Sequence, residues 1–102
     1  MIYVIATIEL KPGQRENFLA EFHKIVPLVL EESGCIEYGP AIDVETEIKA
    51  QPDTRDNVVT IIEKWESLDH LEDHLVADHM MKYRLQVKEM IVGTQLSILE
   101  PA

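Results

Sequence analysis

Cysteine is almost absent from this chain: Cys35 stands alone among 102 residues. No internal disulfide can form, and a lone thiol suits a reducing compartment, which points to the cytoplasm. Positive charge is also scarce. Nine Lys and Arg face 19 Asp and Glu, for a net charge of −10 with neutral histidines. Phosphate recognition needs clustered Lys and Arg, so nucleic acid and anionic membrane surfaces are both excluded as natural partners. The acidity reads as solubility and mutual repulsion. No apolar run approaches the ~20 residues that span a bilayer. The opening Met1-Ile2-Tyr3-Val4-Ile5-Ala6-Thr7-Ile8-Glu9-Leu10 lacks a basic start and turns polar too early for a signal peptide. There is no G-x-G-x-x-G, P-loop, nucleophile elbow or cysteine cluster. A chain this short has no room for a flavin or nicotinamide domain, so redox chemistry would run without such cofactors or on the substrate itself.

What is present is apolar enough to fold. Hydrophobic residues make up 46% of the chain, which predicts one domain over residues 1–102 with one core. Residues 2–10 read as a strand, with Ile2, Val4, Ala6, Ile8 and Leu10 on one face and Tyr3, Ile5, Thr7 and Glu9 on the other. Lys11-Pro12-Gly13 is a turn. Residues 14–33 read as a helix whose Phe18, Phe22, Ile25 and Val29 recur at three- and four-residue spacing. Pro27 should kink it, and Gly34 should end it at the left-handed C′ position. Residues 35–45 read as a strand that Gly39-Pro40 marks as bulged or at an edge. A long polar loop over 46–56 precedes a third strand over 57–65. Ser67 is placed to cap a short helix over 68–76, with Asp69 favoured near its positive end. Asp78 is a plausible cap for a helix over 79–91, Gly93 stops that helix, and residues 94–99 form a last strand.

The order β-α-β-β-α-β, with its second helix broken, predicts an α+β ferredoxin-like fold. Its antiparallel sheet carries helices on one face only. The opposite face, with Tyr3, Ile5, Thr7, Val58, Thr60 and Ile62, is too apolar for water, which predicts a sheet-on-sheet homodimer.

Histidine is the chemistry-bearing residue. His70, His74 and His79 lie near the only tryptophan, Trp65. His74 sits off the Leu68-Leu71-Leu75 stripe, so it is not simply core, and an imidazole can take a proton from a phenol near neutral pH. His79 begins the last helix, where the helix dipole favours a neutral ring. His70 and His74 share a helical face, but a zinc or nickel site needs a third ligand from beyond the helix break, so no metal is expected. His23 flanks the first helix's apolar face and reads as structural. Arg84 falls on a stripe with Met80, Val87 and Ile91, with Tyr83 beside it. An arginine there must find an anion or snorkel to water, and Glu63 and Glu66 are available acidic partners. Met80 offers an adaptable apolar wall. Cys35 has no basic neighbour and shows no sign of thiolate character.

The order E-x-W-x-S at Glu63-Lys64-Trp65-Glu66-Ser67, L-x-x-H at Leu71–His74, the second His79 before an apolar residue, and Gly34-Cys35-x-x-Tyr38 resembles the antibiotic-biosynthesis monooxygenase family, which includes the quinol monooxygenases. The likeness runs from the strand-K-P-G-helix opening to the terminal Leu99-Glu100-Pro101. It implies a dimeric α+β barrel. It also implies a cofactor-independent monooxygenase that oxidises a quinol or polycyclic phenol with dioxygen to a quinone. His74 or His79 would be the base, with Trp65, Arg84, Tyr83 and Met80 at the substrate. A related branch degrades haem with an Asn on the first strand and an iron-ligating His on the last helix. Here the first strand carries Thr7 and no Asn, and no His follows His79, so haem degradation is disfavoured. The alternative is a non-catalytic binding or sensing barrel, since fold does not fix function.

Overall fold

Strand β1 (Ile2–Leu10) organises the sheet. It pairs antiparallel with β3 (Val58–Trp65) on one side and β4 (Ile91–Leu99) on the other, while β2 (Cys35–Ala41) adds to the far edge of β3. The order is β2-β3-β1-β4, the ferredoxin-like arrangement expected from the sequence. All 102 residues are described by this computed structural model. The two-residue period of β1 holds: Val4, Ala6, Ile8 and Leu10 are buried, Ile5 and Thr7 are half-buried, and Glu9 is exposed.

Helix α1 (Arg15–Leu30) packs Phe18, Phe22, Ile25 and Val29 onto that inner face. Gly13 precedes it at φ 80°, a left-handed turn that glycine adopts without cost. Pro27 sits inside the helix on its exposed side, and the helix continues to Leu30. The expected end at residue 33 is three residues too late. Glu32 N–H bonds to Val29 O at 2.9 Å, tightening the last turn, and residues 31–34 form a turn of their own. Gly34, at φ 82°, therefore lies beyond the C′ position and swings the chain into β2. A Cβ there would also collide with the His70 side chain.

Strand β2 stops at Ala41, not residue 45, and β3 starts at Val58. Ile42 and Val44 find no partner strand and are exposed. The connecting stretch folds on itself, where Arg55 donates from Nε and Nη2 to the Asp43 carboxylate at 2.8 and 2.9 Å. β2 is an edge strand, as Gly39-Pro40 suggests, but its register shift falls between Cys35 and Glu37.

Ser67 caps α2 (Leu68–Leu75), accepting from the His70 N–H at 3.3 Å. Helix α3 (Asp78–Val87) starts after Ala77, so Asp78 is its first residue and not its cap. A short 3-10 turn, Lys88–Met90, leads directly into β4. The predicted helix to residue 91, stopped by Gly93, is thus too long. Ile91 already pairs with Leu10, and Gly93 lies within the strand opposite Glu9. Sheet pairing outweighs the weak helical pattern there.

The helices cover one face only. Across the other run Tyr3, Ile5, Ile62 and Leu99, interspersed with Thr7, Thr60 and Lys64. No helix is long and apolar enough to cross a membrane.

Candidate active site

A cavity of about 530 Å³ opens between the helix-covered sheet face and the helices, within the usual range for small-molecule sites. The sheet supplies Ala6, Ile8, Ile61 and Leu96; α3 supplies Met80, Tyr83 and Val87; α1 supplies Phe22. Leu85 and Leu96 also line it yet remain exposed, so the cavity is open along the β4 side. Few polar groups interrupt this wall, and His74, Glu63, Tyr38 and Arg84 are prominent among them.

His74 is 2% exposed at the end of α2. Its ring lies 4.7 Å from the Trp65 ring and 5.3 Å, edge-on, from that of Tyr38. Nδ1 sits 2.8 Å from Glu32 Oε2. A carboxylate only accepts, so Nδ1 donates and Nε2 keeps a bare lone pair in the neutral ring. Nε2 has no partner in the protein, and every fully enclosed side-chain nitrogen or oxygen does have one. Nε2 is therefore open to the cavity that His74 lines. Burial lowers the His74 pKa; the hydrogen bond to Glu32 and its charge oppose that shift only in part, while His79 and Arg84 reinforce it. The ring is a neutral base in waiting.

Glu32 reaches a second imidazole. The same Oε2 lies 2.8 Å from His79 Nε2. His79, with its side chain 24% exposed, is not part of the cavity wall. Sequence reasoning treats His74 and His79 as alternative bases; the fold sets them on either side of one carboxylate, and only His74 faces the cavity. Glu32 was not singled out in the sequence, because it belongs to no stripe and meets its partners 42 and 47 residues away.

In the sequence Glu63 opens the E-x-W-x-S motif and is an available partner for Arg84. It is buried on the inner face of β3, where Trp65 Nε1 donates to its Oε1 at 2.9 Å. Burial pushes its carboxyl up to about 7, against the Trp65 hydrogen bond and with help from the Glu32 charge. The E-x-W spacing carried the signal: residues two apart on a strand share a face. Trp65 itself is fully buried and stands behind His74, outside the cavity lining. Tyr83 and Met80 do line it, as does Arg84, which is exposed and pairs with neither Glu63 nor Glu66. Burial raises the phenol pKa values of Tyr38 and Tyr83, so both stay protonated donors. Cys35 is pushed up to about 11, chiefly by burial, which disqualifies it as a nucleophile. His70 Nδ1 pairs with Ser67 Oγ at 2.7 Å, and His23 is exposed on α1. No three His, Cys, Asp or Glu side chains stand where they could hold a metal ion.

The profile of the family described as "Antibiotic biosynthesis monooxygenase" matches residues 1–85. The chain belongs to this family. Over 103 aligned residues it is 43% identical to the protein named "Probable quinol monooxygenase YgiN" from Escherichia coli strain K12, and the match covers 99% of this chain and 98% of that one. The same identity and coverage hold for the protein of that name from Shigella flexneri. Among solved structures, a conserved protein from Methanosarcina mazei Go1 superposes with a TM-score of 0.83 at 24% identity, covering 99% of this chain and 92% of that one. One described as an antibiotic biosynthesis monooxygenase gives 0.80 at 19% identity, covering 100% and 99%. These structural likenesses establish the shared α+β fold.

Proposed function

We propose that this chain is a cofactor-independent monooxygenase that oxidises a quinol or polycyclic phenol with dioxygen. One observation carries the reading: the unpartnered Nε2 of His74 opens on a largely apolar cavity. The 43% identity to a protein named "Probable quinol monooxygenase YgiN" supports it.

The chemistry follows from the substrate. His74 Nε2 takes a proton from a substrate hydroxyl. The phenolate is electron-rich and passes one electron to dioxygen, giving a semiquinone and superoxide. These combine through a new carbon–oxygen bond, and the proton returns to the peroxide oxygen. Loss of water then breaks the O–O bond, so a quinol and dioxygen become a hydroxyquinone and water, with nothing left over. The protein supplies a base, an apolar and water-poor chamber, and donors at the developing oxyanion. Arg84 is the charged donor. Glu63, protonated below its pKa of about 7, and the phenols of Tyr38 and Tyr83 are the uncharged ones.

The active unit in this reading is a homodimer. Ile5 and Ile62 pair across the uncovered sheet face, and a second copy would bury them. The lone thiol of Cys35 supports a reducing, cytoplasmic address. Menadiol turnover under ¹⁸O₂ tests the reaction class. One labelled oxygen in the hydroxyquinone and one in water is the expected result; hydrogen peroxide with an unlabelled quinone would make the protein an oxidase and overturn the reading.

A further inference from the structure

Glu32 Oε2 alone receives both His74 Nδ1 and His79 Nε2, each at 2.8 Å. The two rings look onto different surroundings. His74 opens on the cavity, whereas His79 is partly exposed and lies outside the cavity wall. A single carboxylate balances a single positive charge. Two imidazolium rings on one oxygen would leave an excess charge in a largely buried place, and two neutral rings would leave the carboxylate uncompensated.

We propose that His74, Glu32 and His79 form one proton-holding unit carrying a single imidazolium, so that His74 takes a proton from a molecule in the cavity as His79 releases one to solvent. This rests on the reading of the cavity as the place where a quinol is deprotonated. At rest the extra proton is on the partly exposed His79, where the Glu32 carboxylate offsets the helix N-terminus that would otherwise favour a neutral ring. A substrate proton arrives at His74 Nε2, and His79 gives its Nδ1 proton to water. Glu32 remains a carboxylate throughout, and the unit's charge does not change. When His74 returns its proton to the peroxide oxygen, His79 recovers one from solvent. His79 and Glu32 are thus positioning residues acting through His74. The other ionisable groups around the site are Glu63 on β3, Cys35 and Tyr38 on β2, Tyr83 and Arg84 on α3, and Lys88 in the turn that follows. None of these bridges the two rings.

The test is a histidine titration of the intact protein by ¹H–¹⁵N NMR, with and without His79→Gln. Glutamine can still donate to Glu32 but cannot titrate. In the unaltered protein the His74 and His79 signals should move together in two shared steps. In His79→Gln, His74 should titrate in one step, displaced upward by about one pH unit because the competing cation is gone. Glu32→Gln should lower both midpoints, because the charge that compensates the imidazolium is gone. The acid limb of the kcat profile should move upward with His74 in His79→Gln. A His74 midpoint that is the same with and without His79 overturns the proposal, even in a protein that oxidises quinols. Coupled titration in a protein that takes up no oxygen would instead leave the unit standing and remove the reaction assigned to it.

Discussion

Trp65 Nε1 donates to Glu63 Oε1 at 2.9 Å, joining two residues on the same face of β3. The bond fixes a carboxyl that burial holds protonated to about 7, against an ordinary value of 4.5. Below pH 4.5 both the folded and unfolded chains keep this proton. Between 4.5 and 7 the unfolded chain releases it and the folded chain does not, so stability falls as pH rises through that window. Above about pH 8 the full cost applies. Glu63→Gln keeps an acceptor for Trp65 and removes the charge. It should stabilise the protein by on the order of 2–4 kcal/mol at pH 8 and have little effect at pH 4. Urea unfolding at the two pH values checks this; parallel behaviour of both proteins would contradict it.

Gly34 answers to two constraints at once. Its φ of 82° strains any L side chain, and a Cβ would meet the His70 ring. Gly34→Ala should cost roughly 2–3 kcal/mol. Thermal denaturation measures it, and a loss under about 0.5 kcal/mol would show that the turn relaxes freely.

Arg84 lines the cavity without an acidic partner. Arg84→Met keeps the apolar stem and removes the donor. If the guanidinium stabilises a developing oxyanion, kcat should fall by about 10- to 100-fold with KM changed little. A rise in KM alone would make Arg84 a ground-state binding residue.

The uncovered sheet face predicts its own occupant. Ile62→Lys places a charge opposite Ile5 at the centre of that face. Sedimentation velocity should find a dimer for the unaltered chain and monomers for Ile62→Lys. A monomer at high micromolar concentration before any substitution would remove the sheet-on-sheet assembly.

Much of this was legible in the residues. Alternation in β1 and the Phe18-Phe22-Ile25-Val29 stripe of α1 are local patterns, and both faces came out as read. The ends of elements were less legible. Nothing local in Ile91-Val92-Gly93 reveals that Leu10 and Glu9 stand ready to pair with them, so a strand was read as the tail of a helix. The site divides in the same way. His74 stood out because it broke a stripe. Glu32 did not, because its meaning depends on a turn that brings residues 42 and 47 positions apart onto one oxygen. Trp65, which the resemblance puts at the substrate, stands behind His74 and outside the cavity lining.

The most direct measurement is oxygen uptake with menadiol at pH 7, corrected for autoxidation, for the unaltered protein and for His74→Gln. Glutamine fills the same space and can still bond Glu32, but it has no lone pair basic enough to take the substrate proton. The account predicts uptake well above the spontaneous rate, falling by about 10²- to 10⁴-fold in the variant. Equal uptake in the two proteins, or none above background in either, would contradict it.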